Sequence, residues 1–202
     1  MLDDLVSQVN LRAIGAAEGN LLFHAGAVGD RAGRSMFLCG PSGSGKSTLT
    51  VRLVEDGHTY LTDETVCLNP DTLVLRPYRK PVSLKSGSQV VYKHLRPPRA
   101  HAAGDTWLIP PSDIDAIPLP SARWLPSLVV FPTFLPGAGL QVNKIAPGEA
   151  AFLLGQNSSR LSRVRGGALP ALSRVARRVE AFRIVHDDLD AAAGAVQELW
   201  AA

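Results

Sequence analysis

Residues 40–47 have the types and the spacing of a loop that binds phosphate. They read GPSGSGKS and match the pattern G-x-x-x-x-G-K-[ST]. Glycines let the backbone curl so that successive amides point at phosphate oxygens, and the predicted helix that follows attracts the same anion at its N-terminus. In this pattern Lys46 neutralises the β and γ phosphates and the Ser47 hydroxyl binds Mg²⁺. The predicted nucleotide-binding residues of this glycine-rich loop are Gly40, Pro41, Ser42, Gly43, Ser44, Gly45, Lys46, Ser47 and Thr48.

Two acidic residues follow the loop at a spacing that suits the same chemistry. Asp63 and Glu64 come directly after the predicted strand 60–62. In a strand–loop–helix–strand unit the second strand runs parallel to the first, so its carboxyl end lies beside the loop. Asp63 can there ligate Mg²⁺ or accept the proton of an attacking hydroxyl. His24 in the predicted strand 20–28 can face this cleft and hydrogen-bond Asp63, although a histidine satisfied within the core is an equal alternative.

The glycine-rich loop alone does not distinguish a kinase from an ATPase, a GTPase or a transporter motor. GTPases usually carry an Asn-Lys-x-Asp element, and residues 143–146 read NKIA without the aspartate. A transporter ATPase would show a Leu-Ser-Gly-Gly-Gln-like signature and an acid after four apolar residues. The apolar residues 128–131 are instead followed by Pro132. The sequence therefore argues against these two classes.

The elements around the loop predict a single α/β domain over residues 1–202. Strands are predicted at 20–28, 35–39, 60–62, 65–68, 73–75, 128–131, 140–145 and 181–185, and helices at 2–14, 47–56, 149–154, 169–179 and 188–199. The domain divides into a core at 20–76, a proline-rich segment at 77–127, and C-terminal strands and helices at 128–202. Because proline interrupts helices, the middle segment is expected to hold short strands and ordered loops.

The charge of the chain is mildly basic, with a formal net charge of +3. Much of the excess lies in one stretch with a single acid, Glu180, and the arginines Arg160, Arg163, Arg165, Arg174, Arg177, Arg178 and Arg183. Such a stretch can bind phosphates or RNA, but a solvated surface that pairs with nearby acids is favoured by about two to one. No aromatic residues alternate with these arginines to stack on bases, so nucleic acid is the less favoured partner.

The sequence also predicts a cytoplasmic protein without a membrane partner. No apolar run approaches the length of a membrane-spanning helix. The N-terminus reads MLDD, with acids where a signal peptide carries positive charge. Cys39 and Cys67 lie in apolar runs, which is typical of reduced, buried cysteines rather than of a disulfide.

Three segments together resemble the catalytic domain of HPr kinase/phosphorylase, and more closely the shorter HPr-kinase-related proteins. They are HAGAV at 24–28, LCGPSGSGKSTL at 38–49 and GHTYLTDE at 57–64. The strong similarity covers about residues 20–68, and a weaker one continues to the C-terminal helix. The resemblance implies a P-loop nucleotide-binding domain of the HPr kinase and phosphoenolpyruvate carboxykinase type, with a mixed sheet flanked by helices.

The resemblance also implies roles for individual residues. Asp63 would be the general base that activates a serine hydroxyl, and His24 would be its partner. Glu64 would help Ser47 and Asp63 hold the metal, although the family usually has aspartate at that position. The glycine-rich signature of HPr kinases, with its acid and arginine, is missing at residues 81–88, which argues against the phosphorylase reaction and against HPr as the substrate. Lys85 in that segment either meets phosphate or an acidic substrate, or is simply an exposed lysine, which is the favoured interpretation.

The expected function is an ATP- and Mg²⁺-dependent kinase that phosphorylates a hydroxyl, most simply a serine of a peptide or small protein. Lys46, Asp63 and His24 are its expected catalytic residues. Two alternatives stay open: an ATP-binding switch or accessory module without phosphotransfer, and a kinase for a small molecule such as free serine. The sequence leaves open whether the chain forms a homo-oligomer.

Overall fold

A mixed β-sheet forms the centre of the computed structural model, which describes residues 12, 15–98, 102–103, 105–115 and 122–202. The strands of the two sheets are, in chain order, β1 (Leu21–Gly29), β2 (Arg34–Cys39), β3 (Thr59–Thr62), β4 (Thr65–Leu68), β5 (Leu75–Arg76), β6 (Val82–Leu84), β7 (Ala102–Ala103), β8 (Thr106–Ile109), β9 (Leu125–Phe134), β10 (Gln141–Lys144), β11 (Ser158–Ser159) and β12 (Glu180–His186). Its helices are α1 (Lys46–Glu55), α2 (Ser86–Val91), α3 (Pro111–Ile114), α4 (Pro147–Gln156), α5 (Ala168–Arg178) and α6 (Leu189–Ala201).

The main sheet has the strand order β10-β12-β9-β2-β1-β4-β5, and β3 and β11 also pair with β1. Strands β2, β9 and β12 are mutually parallel, whereas β1 is antiparallel to β2, β3 and β4. Strands β6, β8 and β7 form a separate three-stranded sheet. The predicted α/β class, with a mixed sheet flanked by helices, is therefore confirmed.

Alternating apolar residues of the strands divide the core into two layers, one on each face of the sheet. One layer joins Phe23 and Ala25 of β1 to α4 and α5. The other joins Met36 and Leu38 of β2 to α1 and α6. Successive side chains of a strand point to opposite faces, so the same strands supply both layers. The helix that carries the glycine-rich loop thus packs on the face opposite α4 and α5.

Strands β3 and β4 together cover one side of β1, with Asp63 and Glu64 between them. The register pairs Ala27 with Thr62 and His24 with Thr65. Ala25 and Glu64 exchange two backbone hydrogen bonds of 3.1 Å across this junction. The sequence predicted that β3 would run parallel to β2, the strand that precedes the glycine-rich loop. The two strands do run in the same direction, because both are antiparallel to β1. The two strands are not neighbours, however, since β1 lies between them.

The remaining predicted elements differ from the structure mainly in length. The helix after the loop ends at Glu55, and Gly57 follows it with a φ of +99° and donates to the Val54 carbonyl. Strand β9 is longer than the predicted 128–131. The proline-rich segment holds short strands and helices of six and four residues, as its composition predicts. The helix predicted at 2–14 lies outside the described residues except for residue 12, which is helical.

No helix in the described part of the chain is both long enough and apolar enough to span a bilayer. The longest of them, α6, has 13 residues. A spanning helix needs about 20 residues at 1.5 Å per residue.

Candidate active site

A cavity of about 540 Å³ lies at the carboxyl ends of the parallel strands β2, β9 and β12. Ligands of open α/β sheets bind at this edge, and the volume is within the usual range for a small-molecule site. Six of the predicted loop residues line it, namely Ser42, Gly43, Gly45, Lys46, Ser47 and Thr48. Gly40, Pro41 and Ser44 are not among the lining residues, although the carbonyls of Gly40 and Pro41 accept from Lys46.

The glycine-rich loop presents donors to the cavity. Gly43 and Gly45 have φ values of +88° and +93°, a conformation that favours glycine. Helix α1 begins at Lys46 with no side-chain cap and no acid in its first turn. Its first amides are therefore available to an anion. The Lys46 ammonium donates to the carbonyls of Gly40 at 2.6 Å and Pro41 at 2.8 Å.

The loop residue Ser47 contacts the predicted acid directly. Its hydroxyl is 2.9 Å and 3.1 Å from the two carboxylate oxygens of Asp63. Asp63 is only 2% exposed, and burial raises the pKa of its carboxyl above the usual value. The charge of Lys80 and the hydrogen bonds from Ser47 and Ser83 oppose that rise in pKa. A buried carboxyl with a raised pKa beside an anion-binding helix terminus suits proton transfer.

A glycine of β1 makes room for this acid. A Cβ on Gly26 would lie 2.4 Å from the Thr50 hydroxyl and 3.7 Å from an Asp63 carboxylate oxygen. The first distance is far below van der Waals contact, so a larger residue would displace the Thr50 side chain or the helix α1 that carries it. The register of β1 against the β3–β4 junction therefore sets the distance between Asp63 and the loop.

Glu64 is held by a lysine that sequence reasoning did not single out. Its carboxylate forms a 2.9 Å ion pair with Lys80, and both residues line the cavity. Lys80 is 5% exposed, whereas Glu64 is about half exposed. A buried lysine requires a partner. Nothing in the local sequence signals this pairing, because it depends on how the proline-rich segment crosses the end of β3.

His24 lines the same cavity as Asp63, but the two side chains are not joined. In the part of the chain that the structure describes, the Asp63 carboxylate accepts from Ser47 and Ser83, and no hydrogen bond links it to the His24 imidazole. Burial and then the charge of Lys46 lower the pKa of His24, while Glu64 and Asp63 oppose this. The imidazole is thus biased towards its neutral form.

The proline-rich segment supplies the wall that faces the glycine-rich loop. Lys85 donates to the Ser42 hydroxyl at 2.7 Å. The hydroxyls of Ser88 and Thr48 are 2.5 Å apart, and Tyr92 donates to the Thr48 carbonyl at 2.8 Å. Lys85, Lys46 and Lys80 all line the cavity. Lys85 is exposed, as the sequence favoured, and it also lines this cavity.

The oxygens of Ser47 and Asp63 fit a hard cation. Mg²⁺ binds oxygen ligands, keeps several waters, and usually takes one or two carboxylates together with substrate phosphates. A hydroxyl and a carboxylate in contact at the end of the glycine-rich loop provide such a set. No group of three or more His, Cys, Asp or Glu side chains with metal-binding geometry occurs among the described residues. The pair therefore fits Mg²⁺ that arrives with phosphate rather than a cage built by the protein alone.

The arginine-rich stretch lies away from the cavity. Arg163, Arg174 and Arg183 form ion pairs with Glu18, Asp71 and Glu149, and none of the seven arginines lines the site. These contacts are those of a solvated surface that pairs with nearby acids. Cys39 and Cys67 are buried and free. Burial raises the pKa of Cys39 to about 12, so its thiol is inert at neutral pH.

No protein-family model matches the chain, and a search of curated proteins also finds no match. A function must therefore be argued from the geometry of this cavity. Its chemical groups include uncapped helix amides, three lysines, a hydroxyl–carboxylate pair and two histidines, His24 and His186.

Proposed function

We propose that the chain is an ATP- and Mg²⁺-dependent kinase that transfers the γ-phosphate to a hydroxyl, specifically a serine of a peptide or small protein. In this proposal its fold is a P-loop domain of the HPr kinase type. The observation that carries it is the contact between Ser47 at the start of α1 and the buried Asp63. That contact supports the proposal because the hydroxyl would serve as a cation ligand and the carboxylate as a proton acceptor beside the bound phosphates.

Positive charge and preorganised hydrogen-bond donors would bind the phosphates. The first amides of α1 and the ammonium groups of Lys46 and Lys85 face one cavity. Phosphoryl transfer proceeds through a loose transition state, so positioning and charge neutralisation supply most of the catalysis. Bound Mg²⁺ would add Lewis-acid neutralisation of phosphate oxygens, and Ser47 and Asp63 would hold it.

Asp63 would accept the proton of the acceptor. As the acceptor oxygen bonds to the γ-phosphorus, its O–H bond breaks and the proton passes to the Asp63 carboxylate. The bond from the γ-phosphorus to the bridging oxygen breaks, and its electron pair leaves with ADP. Burial raises the pKa of the Asp63 carboxyl, so its ionised form is a stronger base than an ordinary aspartate.

The acceptor would enter where His24 and Glu64 line the opening. Both side chains are exposed and lie next to the buried Asp63. A serine side chain can reach inward from such an opening while the rest of its peptide stays outside. This arrangement supports a peptide or small protein as the acceptor over a substrate that is fully enclosed.

The proposal is tested by phosphate transfer from γ-labelled ATP to an acceptor panel of serine peptides, HPr and free serine. The change is Asp63→Asn, with Asp113→Asn on the exposed helix α3 as the matched control. We expect Asp63→Asn to lower transfer by at least about 10²-fold because the proton acceptor is lost, and to leave ATP bound. The control should transfer at the rate of the natural chain.

Other outcomes would assign a different function. ATP hydrolysis with no transfer to any acceptor would contradict the kinase and favour a nucleotide-dependent switch. Transfer to free serine but to no peptide would favour the small-molecule kinase. Equal loss of transfer in Asp63→Asn and Asp113→Asn would show that Asp63 has no special role.

A further inference from the structure

One end of the cavity has no role in the proposed phosphoryl transfer. It is lined by Phe134, His186, Asp187, Asp188 and Leu189, at the ends of β9 and β12 and the start of α6. None of these residues belongs to a motif recognised in the sequence. They nevertheless lie beside the glycine-rich loop, so a ligand whose phosphates lie at that loop can extend into this end.

The distance between this end and the loop is short. Phe134 and His186 are paired in register at the carboxyl ends of two parallel strands. A Cβ on Gly45 would lie 3.7 Å from both the Cβ of Phe134 and the Nε2 of His186. Gly45 immediately precedes α1, whose amides face the anion. A molecule whose phosphates sit at α1 can therefore extend directly over Phe134.

The two ends carry different sets of charged groups. The end near Asp63 has Lys80 paired with Glu64, and Lys85 contacts the glycine-rich loop at Ser42, whereas Asp187 and Asp188 line the end near Phe134. The side chain of Asp188 caps α6 by accepting from the Ala191 amide. Carboxylates repel phosphates, so the anionic part of a ligand belongs near the lysines and its uncharged part near the aspartates.

The wall at this end suits a flat, partly apolar group. The apolar side chains that line the cavity are Val91, Phe134 and Leu189, and Phe134 is 48% exposed. Tyr92, next to Val91, is bonded to Thr48 of α1, and Asp190, next to Leu189, is bonded to Arg52 of the same helix. The apolar groups are thus anchored beside the first turns of α1, where they can flank a ring.

His186 provides a second, independent sign of a ligand. It is 3% exposed, and its Nδ1 lies 3.0 Å from the Asp188 carbonyl. Because that carbonyl accepts, Nδ1 carries hydrogen, and the ring is held edge-on to Phe134 with centroids 5.7 Å apart. Its Nε2 is buried and has no partner among the described residues. Buried polar atoms are usually satisfied, so this orphan nitrogen indicates a missing partner.

We infer that this end of the cavity, formed by Val91, Phe134, His186, Asp187 and Leu189, binds the base and ribose of the nucleoside triphosphate. Phe134 is the surface on which the base stacks. His186 Nε2 and the exposed Asp187 carboxylate are the polar groups that meet the nucleoside. The acceptor must then enter at the opposite, His24 and Glu64 end. This inference rests on the proposed function, because it takes the phosphate donor to be a nucleotide.

The test compares the dissociation constants of ATP and of inorganic tripolyphosphate, both with Mg²⁺, measured by titration calorimetry. The variants are Phe134→Ala and, as a matched control, Leu135→Ala, whose side chain is 52% exposed and does not line the cavity. Removal of a stacking aromatic costs about 1–3 kcal/mol per base, so Phe134→Ala should weaken ATP binding by about tenfold. Tripolyphosphate binding should be unchanged, and Leu135→Ala should match the natural chain for both ligands. Phe134→Tyr, which keeps the ring, should restore ATP binding.

Each contrary result has a distinct meaning. If Phe134→Ala leaves ATP binding intact, or weakens ATP and tripolyphosphate equally, the nucleoside does not lie here, while the kinase proposal stands on its own transfer test. If the natural chain binds tripolyphosphate but gains nothing from the nucleoside of ATP, this end binds no base. If it binds neither ligand, the proposed function fails and the inference fails with it.

Discussion

The two walls of the cavity present different groups. The wall formed by residues 40–47 and α1 presents backbone amides, held in place by two glycines with positive φ. The wall formed by the proline-rich segment presents side chains, chiefly Lys80 and Lys85. On the first wall the backbone conformation itself sets where the amide donors point, so a change of conformation also changes the chemistry. On the second the backbone only carries the groups, so a change of side chain alters charge and leaves the cavity in place.

This difference extends to the lysines themselves. Lys46 belongs to the loop wall and is tied to two loop carbonyls, so it supports the conformation of the loop as well as its charge. Lys85 reaches the same region from the other wall and touches only the Ser42 hydroxyl. Two cations that serve one anion should therefore respond differently to the same substitution.

The largest effect is expected at Lys46. In Lys46→Met the loop loses both a phosphate cation and two internal hydrogen bonds, so phosphotransfer should fall by about 10³-fold or more. Lys46→Arg should not restore it, because the planar guanidinium cannot replace a compact ammonium between two carbonyls. Transfer from γ-labelled ATP measures both variants. Substantial rescue by arginine would show that the lysine acts only as a charge and would remove the contrast between the two walls.

A smaller effect is expected at Lys85. Lys85→Met should lower kcat/KM for ATP by about 10²-fold, the usual cost of one donor to a developing charge. Lys85→Arg should recover most of that loss, because an exposed arm can place either cation near the phosphates. Lys93→Met is the matched control, since Lys93 is exposed and lies outside the cavity lining. If Lys85→Met and Lys93→Met behave alike, Lys85 only anchors Ser42.

The sequence predicted the loop wall well, because that wall is contiguous in the chain. A strand, a turn of glycines and an amphipathic helix define it within residues 35–56. It also located Asp63, since one further strand brings an acid to the same edge. The opposite wall needs long-range topology that a local pattern does not contain: Lys80 meets Glu64 only because residues 76–84 cross the end of β3. The local sequence likewise does not signal that His186 lines the cavity, because its position depends on which strands of the sheet are neighbours.

The third expected effect is a shift in the pH dependence of kcat/KM. The charge of Lys80 lowers the pKa of Asp63, against the rise caused by burial, whereas the charge of Glu64 raises it. Asp63 must be ionised to accept a proton, so kcat/KM falls as the pH drops through its pKa. Lys80→Met removes the cation and should move this acidic limb to higher pH. Glu64→Gln removes an anion and should move the limb to lower pH, by less, since Glu64 is half exposed and more strongly screened.

The opposite signs make this pair of variants a sharp test. A merely structural role for the Lys80–Glu64 pair would lower activity in both variants and leave the limb where it is, because breaking an ion pair from either side costs stability without regard to sign. A limb that moves in opposite directions instead reports the field that both charges exert on one titrating group. Methionine keeps the length of the buried lysine stem, so Lys80→Met should preserve the packing of a residue that is almost fully enclosed. Parallel shifts in the two variants would contradict this account, because a cation and an anion act with opposite sign on the pKa of the same group.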